Sequence, residues 1–387
     1  MRVLGVEYFG LLAFATATVV YFNIITDYGF SLTATREISI HRENREKIVE
    51  IFSSVMSIKV LLMFLSFFLL VILVFSFDKF SKDWEIYFFT FGTVVGQTLF
   101  PIWFFQGMER MKYITYLNIL SKSIFTVAIF IFVKEQSDFY IVPILTSVGF
   151  IVAGILSLWI IKKEFDIGFK FQTLQTLKYY FVDGFHIFIA NLSGNLYGQG
   201  STIILGLFTN YSIVGYYSFA QKLASALASI FQVFAQAYFP YIVKLKEINF
   251  NNFIKTCKAI ILKTSFFIAF IIGTSLIFSD KIYKLISGID NPIGYYSFSF
   301  WLIITIFTIY NVLLNPIIVV LKEDVNMSKM YLFVGVSFLL YGILLTTFFS
   351  YKGMLASMLI VEILIFIFSF LIIRKGIIKF KRKKNAK

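Results

Sequence analysis

Apolar residues run through this chain in eleven stretches, each near or above the roughly 20 residues a helix needs to cross the hydrocarbon of a bilayer. They lie near 8–34, 53–77, 84–108, 113–133, 138–161, 182–209, 213–243, 259–278, 297–321, 329–349 and 353–373. Short polar connections separate them. The pattern predicts an all-α polytopic membrane protein. Pro101, Pro240 and Pro316 fall inside or near the ends of three spans, where neighbouring helices can re-satisfy the backbone groups they free.

Polar positions inside the spans carry the functional signal. In 113–133, Thr115, Asn118, Lys122 and Thr126 recur at steps of three and four, which places them on one helix face. Lys222, Ser225, Ser229, Gln232 and Gln236 do the same in 213–243, and Asn191, Asn195, Gln199 and Thr202 in 182–209. Thr90, Thr93 and Gln97 form a shorter stripe, Lys59 and Ser66 stand seven residues apart, and Thr16, Asn23 and Asp27 line one side of the first span. Helix–helix hydrogen bonding accounts equally well for the Ser and Thr residues. It accounts poorly for lysine, since an ammonium at the bilayer centre costs about 2.5–3.5 kcal/mol on insertion scales.

Lys59, Lys122 and Lys222 therefore snorkel, pair with Asp27, Asp183 or Glu362, or line a water-filled cavity. Lys122 stands about nine residues into its span, or ~13 Å of helix rise, too deep to reach water easily without such a cavity. Buried cations outnumber buried anions, which favours a basic central cavity. Its natural ligand is anionic, because ammonium groups act as point charges for phosphate. Lys122 and Lys222 are expected to face that cavity from opposite halves. Lys59, Gln97, Asn118, Asn191, Asn195 and Gln232 are further lining candidates.

Composition excludes a soluble domain: 59% of residues are hydrophobic and only 14% charged. The net charge of +14 follows topology. One set of connections holds Arg36, Arg42, Arg45, Lys47, Arg110, Lys112, Lys162, Lys163, Lys170, Lys178, Lys244, Lys246, Lys255, Lys258, Lys322 and Lys329, and the basic tail lies on the same side. The opposite side carries only Arg2, Lys79, Lys82, Lys134, Lys281, Lys284 and Lys352. The positive-inside rule then puts the C-terminus in the cytoplasm and Met1 outside. The basic charge meets anionic membrane lipid and is not a nucleic-acid footprint. No catalytic constellation, cofactor motif or metal-ligand spacing is found, His41 and His186 being the only histidines. The longest outside connection, 279–294, is short for an enzyme that must hold a large acceptor, so transport is the better reading.

Phe9-Gly10-Leu11-Leu12-Ala13-Phe14-Ala15 and Val214-Gly215-Tyr216-Tyr217-Ser218-Phe219-Ala220 share an apolar-Gly-x-x-small-Phe-Ala pattern at the opening of the first and seventh spans. Six spans apart, they cross in the same direction, as in a parallel repeat. This divides the chain into an N-terminal bundle of five spans (1–161), a linker (162–181), a C-terminal bundle of six spans (182–373) and a basic tail (374–387). Phe171, Leu174, Leu177 and Phe181 fit either an interfacial helix or an ordinary linker. The repeat leaves the first half one helix short, so a further span is expected ahead of Met1.

Arg2-Val3-Leu4-Gly5, Tyr8-Phe9-Gly10, Asp27-Tyr28-Gly29-Phe30 and Thr33-Ala34-Thr35-Arg36-Glu37-Ile38-Ser39 resemble the opening of Wzx-type polysaccharide flippases. Pro101-Ile102-Trp103-Phe104-Phe105-Gln106-Gly107-Met108-Glu109-Arg110-Met111, followed by Lys122, resembles a second signature of that family, and 214–220 the opening of its second half. The resemblance covers most of the first 240 residues. It implies a MATE-like two-bundle fold of twelve helices, of which this chain shows eleven, and marks Asp27, Arg36, Gln106, Gly107 and Glu109 as motif residues. It further implies translocation of an undecaprenyl-pyrophosphate-linked oligosaccharide (O-antigen, capsule or exopolysaccharide unit) across the bacterial inner membrane by alternating access, beside a polysaccharide polymerase and a chain-length regulator. The alternative is a multidrug or cation antiporter of the same fold, which would favour carboxylates in the cavity over lysines.

Overall fold

The computed structural model describes residues 1–385, so Ala386 and Lys387 of the basic tail lie outside the described residues. Among the described residues the chain is almost wholly helical and contains no strand. It divides into two compact units, Val3–Asn195 and the residues from Leu196 onward together with Met1 and Arg2.

The first unit contains α1 (Gly5–Asp27), α2 (Phe30–Ile40), α3 (Arg45–Ser76), the short α4 (Asp78–Ser81), α5 (Trp84–Leu99), α6 (Ile102–Gly107), α7 (Met111–Phe132), a 3-10 turn (Gln136–Tyr140) and α8 (Ile141–Phe165). Residues 166–173 are not helical, and the first part of α9 (Leu174–Phe208) completes the unit. The second unit holds the rest of α9, α10 (Tyr211–Ile248), α11 (Phe250–Ile277), α12 (Ser279–Ser287), α13 (Pro292–Val320) and α14 (Asp324–Asn385).

Nine helical segments among the described residues are long and apolar enough to cross a membrane. The last of them is interrupted at Ser350, whose backbone (φ 53°, ψ −137°) is not helical, and so supplies two crossings. The amide-rich α9 is too polar to be counted among the nine, yet at 35 residues is long enough to span. With α9 included, this accords with eleven spans. The protein is a multi-pass membrane protein.

Two breaks shape the first unit. Tyr28 and Gly29 both adopt positive φ (46° and 84°), stopping α1 and redirecting the chain into α2. A β-carbon on Gly29 would sit 2.7 Å from Ile187 Cβ of α9, so the turn needs glycine both for its conformation and for the approach. The second break follows α5, where Phe100 and Pro101 leave the helical region before α6 begins. Elsewhere, small residues let backbones close in, as membrane packing requires. A β-carbon on Gly96 would lie 2.5 Å from the Phe150 carbonyl carbon, and one on Gly154 would lie 2.7 Å from Leu99 Cβ, pressing α5 against α8. Ser147 donates to the Phe89 carbonyl at 2.6 Å across the same seam.

Asparagine N-caps start several helices. Asn44, Asn210, Asn249 and Asn291 each accept from a backbone N–H in the first turn, and Pro292 follows the last of these where proline fits best. In the second unit α13 is central, packing against α10, α11, α12 and α14. Tyr217 meets Trp301 edge-on at 5.4 Å between α10 and α13. Pro240 and Pro316 lie inside α10 and α13 without interrupting either.

Candidate functional site

Pro101 creates the most informative site. The carbonyl of Gln97 would normally accept from the N–H four residues on, but residue 101 is proline and has none. That carbonyl keeps a weak contact with Phe100 N (3.4 Å) and faces Lys59 Nζ of α3 at 3.5 Å. Lys59 is 4% exposed, and its ammonium also stands 3.8 Å from an Asp27 carboxylate oxygen at the end of α1. The helix break therefore turns backbone polarity towards a buried cation.

These groups line a cavity of about 290 Å³ inside the first unit. Asn23, Thr26, Asp27 and Ser31 come from α1 and α2, Lys59 from α3, Gln97 from α5, Gln106 from α6 and Asn118 from α7. Phe100, Ile102, Trp103 and Phe150 supply apolar wall. A second cavity of about 180 Å³ shares Asn23, Gln97 and Phe150 and adds Thr16, Thr90, Thr93 and Thr146. Two lining groups are buried without a hydrogen-bond partner, the Asn23 amide oxygen and the Trp103 indole nitrogen. The first can accept and the second donate, so the wall offers hydrogen bonds it does not use internally. Lysine, amides, hydroxyls and an indole N–H can together hold an anionic, polyhydroxylated group. Among the described residues no cluster suits a metal ion.

The structure brings Lys59, Gln97, Asn118, Asp27 and Gln106 together in one cavity. It does not bring Lys122 there. Lys122 lies on the same helix as Asn118 but is exposed and lines neither cavity. Lys222 and Gln232 are exposed on α10 of the second unit. Asn191 and Asn195 lie half-buried on α9, where Asn195 donates to the Asn191 carbonyl at 2.9 Å and its own carbonyl accepts from the Tyr21 hydroxyl at 2.9 Å.

The remaining motif residues hold helices together. Arg36 donates to both oxygens of Asp183 on α9 at 3.0 Å and to Glu37 at 3.1 Å. The Gly107 carbonyl accepts from Arg42 at 3.1 Å and from Ser39 at 3.3 Å, while Arg42 pairs with Glu109 at 2.9 Å. A β-carbon on Gly107 would lie 2.5 Å from Ile38 Cγ2, so α6 meets α2 through a bare backbone. Gln106 does both jobs, lining the cavity and facing the Thr35 hydroxyl at 3.3 Å.

Sequence reasoning did not single out Ser31 or Trp103 as lining residues. They lie on the short helices after the two breaks, where no stripe of regular spacing exists to reveal them. The pairing of Lys59 with Gln97 did leave a signal, a proline four residues after a polar span residue.

Known proteins resemble this chain in sequence and in fold. A protein from Escherichia coli (strain K12) named "Putative O-antigen transporter" is 33% identical over 249 residues, which is 64% of this chain and 60% of that protein. This match thus spans less than two thirds of the relative's own length. A protein of the same name from Shigella dysenteriae is 23% identical over 370 residues, covering 95% of this chain and 92% of its own. Among solved structures, the inward-facing conformation of a multidrug resistance MATE family transporter of the MOP superfamily superposes with a TM-score of 0.71 at 14% identity, covering 98% of this chain and 93% of the other. A MATE crystal structure in the bent conformation gives 0.59 at 12% identity, covering 99% and 94%. At such identities the likeness shows the fold, and the fold is the MATE-type architecture that the sequence resemblance implies. Residues 1–246, well over half of the chain, match the model of a family described as "Polysaccharide biosynthesis protein", and the chain belongs to that family.

Proposed function

We propose that the protein is a flippase that moves an undecaprenyl-pyrophosphate-linked oligosaccharide, of O-antigen type, across the bacterial inner membrane by alternating access. The observation that carries this reading is Lys59, a lysine 4% exposed in an amide-rich cavity whose one nearby carboxylate stands at 3.8 Å. Keeping an ammonium in such a place costs several kcal/mol unless a partner compensates it. Asp27 does so incompletely, since a strong charge-assisted bond is about 2.7–2.9 Å long. A diphosphate compensates better, with more charge and more acceptors.

Asp27 then acts as a resting partner that yields Lys59 to the incoming phosphates. Asn23, Gln106 and Asn118 offer amides to phosphate and sugar hydroxyls, and the Trp103 indole N–H offers a donor not otherwise used. Pockets that enclose a drug-sized ligand measure about 300–1,000 Å³. At about 290 Å³ this cavity suits the charged linkage and its first sugar, while the rest of the glycan and the lipid tail lie outside it. Lys122 and Lys222 are secondary cation candidates. The arginine- and lysine-rich connections face the cytoplasm with the C-terminus, where the basic tail meets anionic lipid.

The test is complementation of a strain lacking this gene. Loss of the protein should abolish surface glycan and leave lipid-linked intermediate on the cytoplasmic leaflet. The wild-type chain should restore export and an equally expressed Lys59→Glu variant should not. Unaltered surface glycan with a changed drug susceptibility would replace this reading with that of a multidrug exporter.

A further inference from the structure

The second unit contains a buried acid that the cavity of the first unit does not use. Glu362, in the part of α14 after the Ser350 break, is 9% exposed. Its Oε2 accepts from the Asn311 amide nitrogen of α13 at 2.6 Å, and the same nitrogen donates to the Glu362 backbone carbonyl at 3.1 Å. The Thr308 hydroxyl, one turn before Asn311, donates to the Ile304 carbonyl at 3.3 Å. Nearby between α13 and the first part of α14, Asn315 donates to the Tyr331 hydroxyl at 2.9 Å. On α10, which also packs against α13 and α14, Tyr238 donates to the Leu313 carbonyl. Among the described residues no lysine, arginine or histidine pairs with Glu362.

The carboxyl group thus meets a neutral amide across the seam between α13 and α14. Asn311 is itself 5% exposed, and its amide oxygen is buried beside the carboxyl without a donor. Structural burial of a carboxylate ordinarily pairs it with a cation and satisfies the groups around it. Neither condition is met here. An ionisable group inside a membrane bundle that lacks a counter-charge is the arrangement of a proton site.

We propose that Glu362 is a proton-binding site, taking a proton from water on one side of the membrane and returning it to water in a later conformation. Proton uptake converts the carboxylate to a neutral carboxylic acid, and release restores the charge. No other group is consumed. The proposal rests on the transporter reading for its purpose, as the group that links transport to a proton gradient, but not for its test.

The test is infrared difference spectroscopy of the purified full-length protein in lipid nanodiscs, titrated with pH. Wild type should show a carboxylic C=O band at low pH that disappears at high pH and is missing from Glu362→Gln. Should Glu362→Gln fail to fold, Asn311→Ala serves instead. Losing a donor to the carboxylate disfavours its charged form, so the same band should survive to higher pH by about tenfold in proton affinity. Spectra of wild type and Glu362→Gln that agree at every pH would overturn the proposal. In that case the flippase reading of the first unit stands or falls by its own complementation result.

Discussion

At the scale of single residues, Lys59 carries the buried positive charge of the first unit's cavity. Lys122 stood out by its depth along an ideal helix, and most of that face of α7 is exposed. Lys59 stood out less, yet it meets Asp27 and Gln97 because two helix breaks turn those groups towards it. Depth is legible from spacing, whereas facing depends on which helices pack alongside. If the proposed function holds, Pro101 contributes to it through its missing N–H. Replacing Pro101 with alanine gives Gln97 a backbone donor and favours an unbroken helix, since an interior proline costs about 3 kcal/mol or more. Pro101→Ala should therefore keep or raise the melting temperature while lowering glycan export severalfold. Export at the wild-type level would separate the break from function.

At the scale of elements, helix existence was legible throughout, because twenty-residue apolar runs have few alternatives. The breaks were less so. Pro101 lies at one, within a stretch whose pattern reads as a single continuous span, whereas Tyr28–Gly29 and Ser350 depend on tertiary contacts, such as the approach of Gly29 to Ile187, that no local pattern shows. The seam between α5 and α8 offers a stability test. Gly96→Val places side-chain carbon where Phe150 backbone already stands at 2.5 Å. Overpacking of this kind costs about 1–3 kcal/mol, so the detergent-solubilised variant should melt several degrees lower. Gly198→Ala is the control, since a β-carbon there meets nothing within 4 Å and helix propensity favours alanine by about 1 kcal/mol. It should melt at the wild-type temperature or above. A Gly96→Val protein as stable as wild type would show that the two helices can separate freely.

For the whole molecule, the repeat read from two short segments puts a linker at 162–181 between two halves, while the division into two compact units falls at 195/196, within α9. Orientation belongs to this scale as well. A reporter active only in the cytoplasm, fused at the C-terminus, should be active; a silent fusion there, with a periplasm-only reporter active at the same position, would reverse the assignment. The central claim, that Lys59 serves the substrate and not merely Asp27, is tested most directly by a double-mutant comparison in proteoliposomes loaded with lipid-linked oligosaccharide. Lys59→Met alone leaves Asp27 without its cation, and Asp27→Asn alone leaves Lys59 without its anion, so either can lose activity through the fold. The double variant removes both charges and restores electrostatic balance. A well-folded Lys59→Met/Asp27→Asn protein should flip at least tenfold more slowly than wild type. Flipping restored to the wild-type rate would contradict the central claim, reducing Lys59 to one half of a structural ion pair.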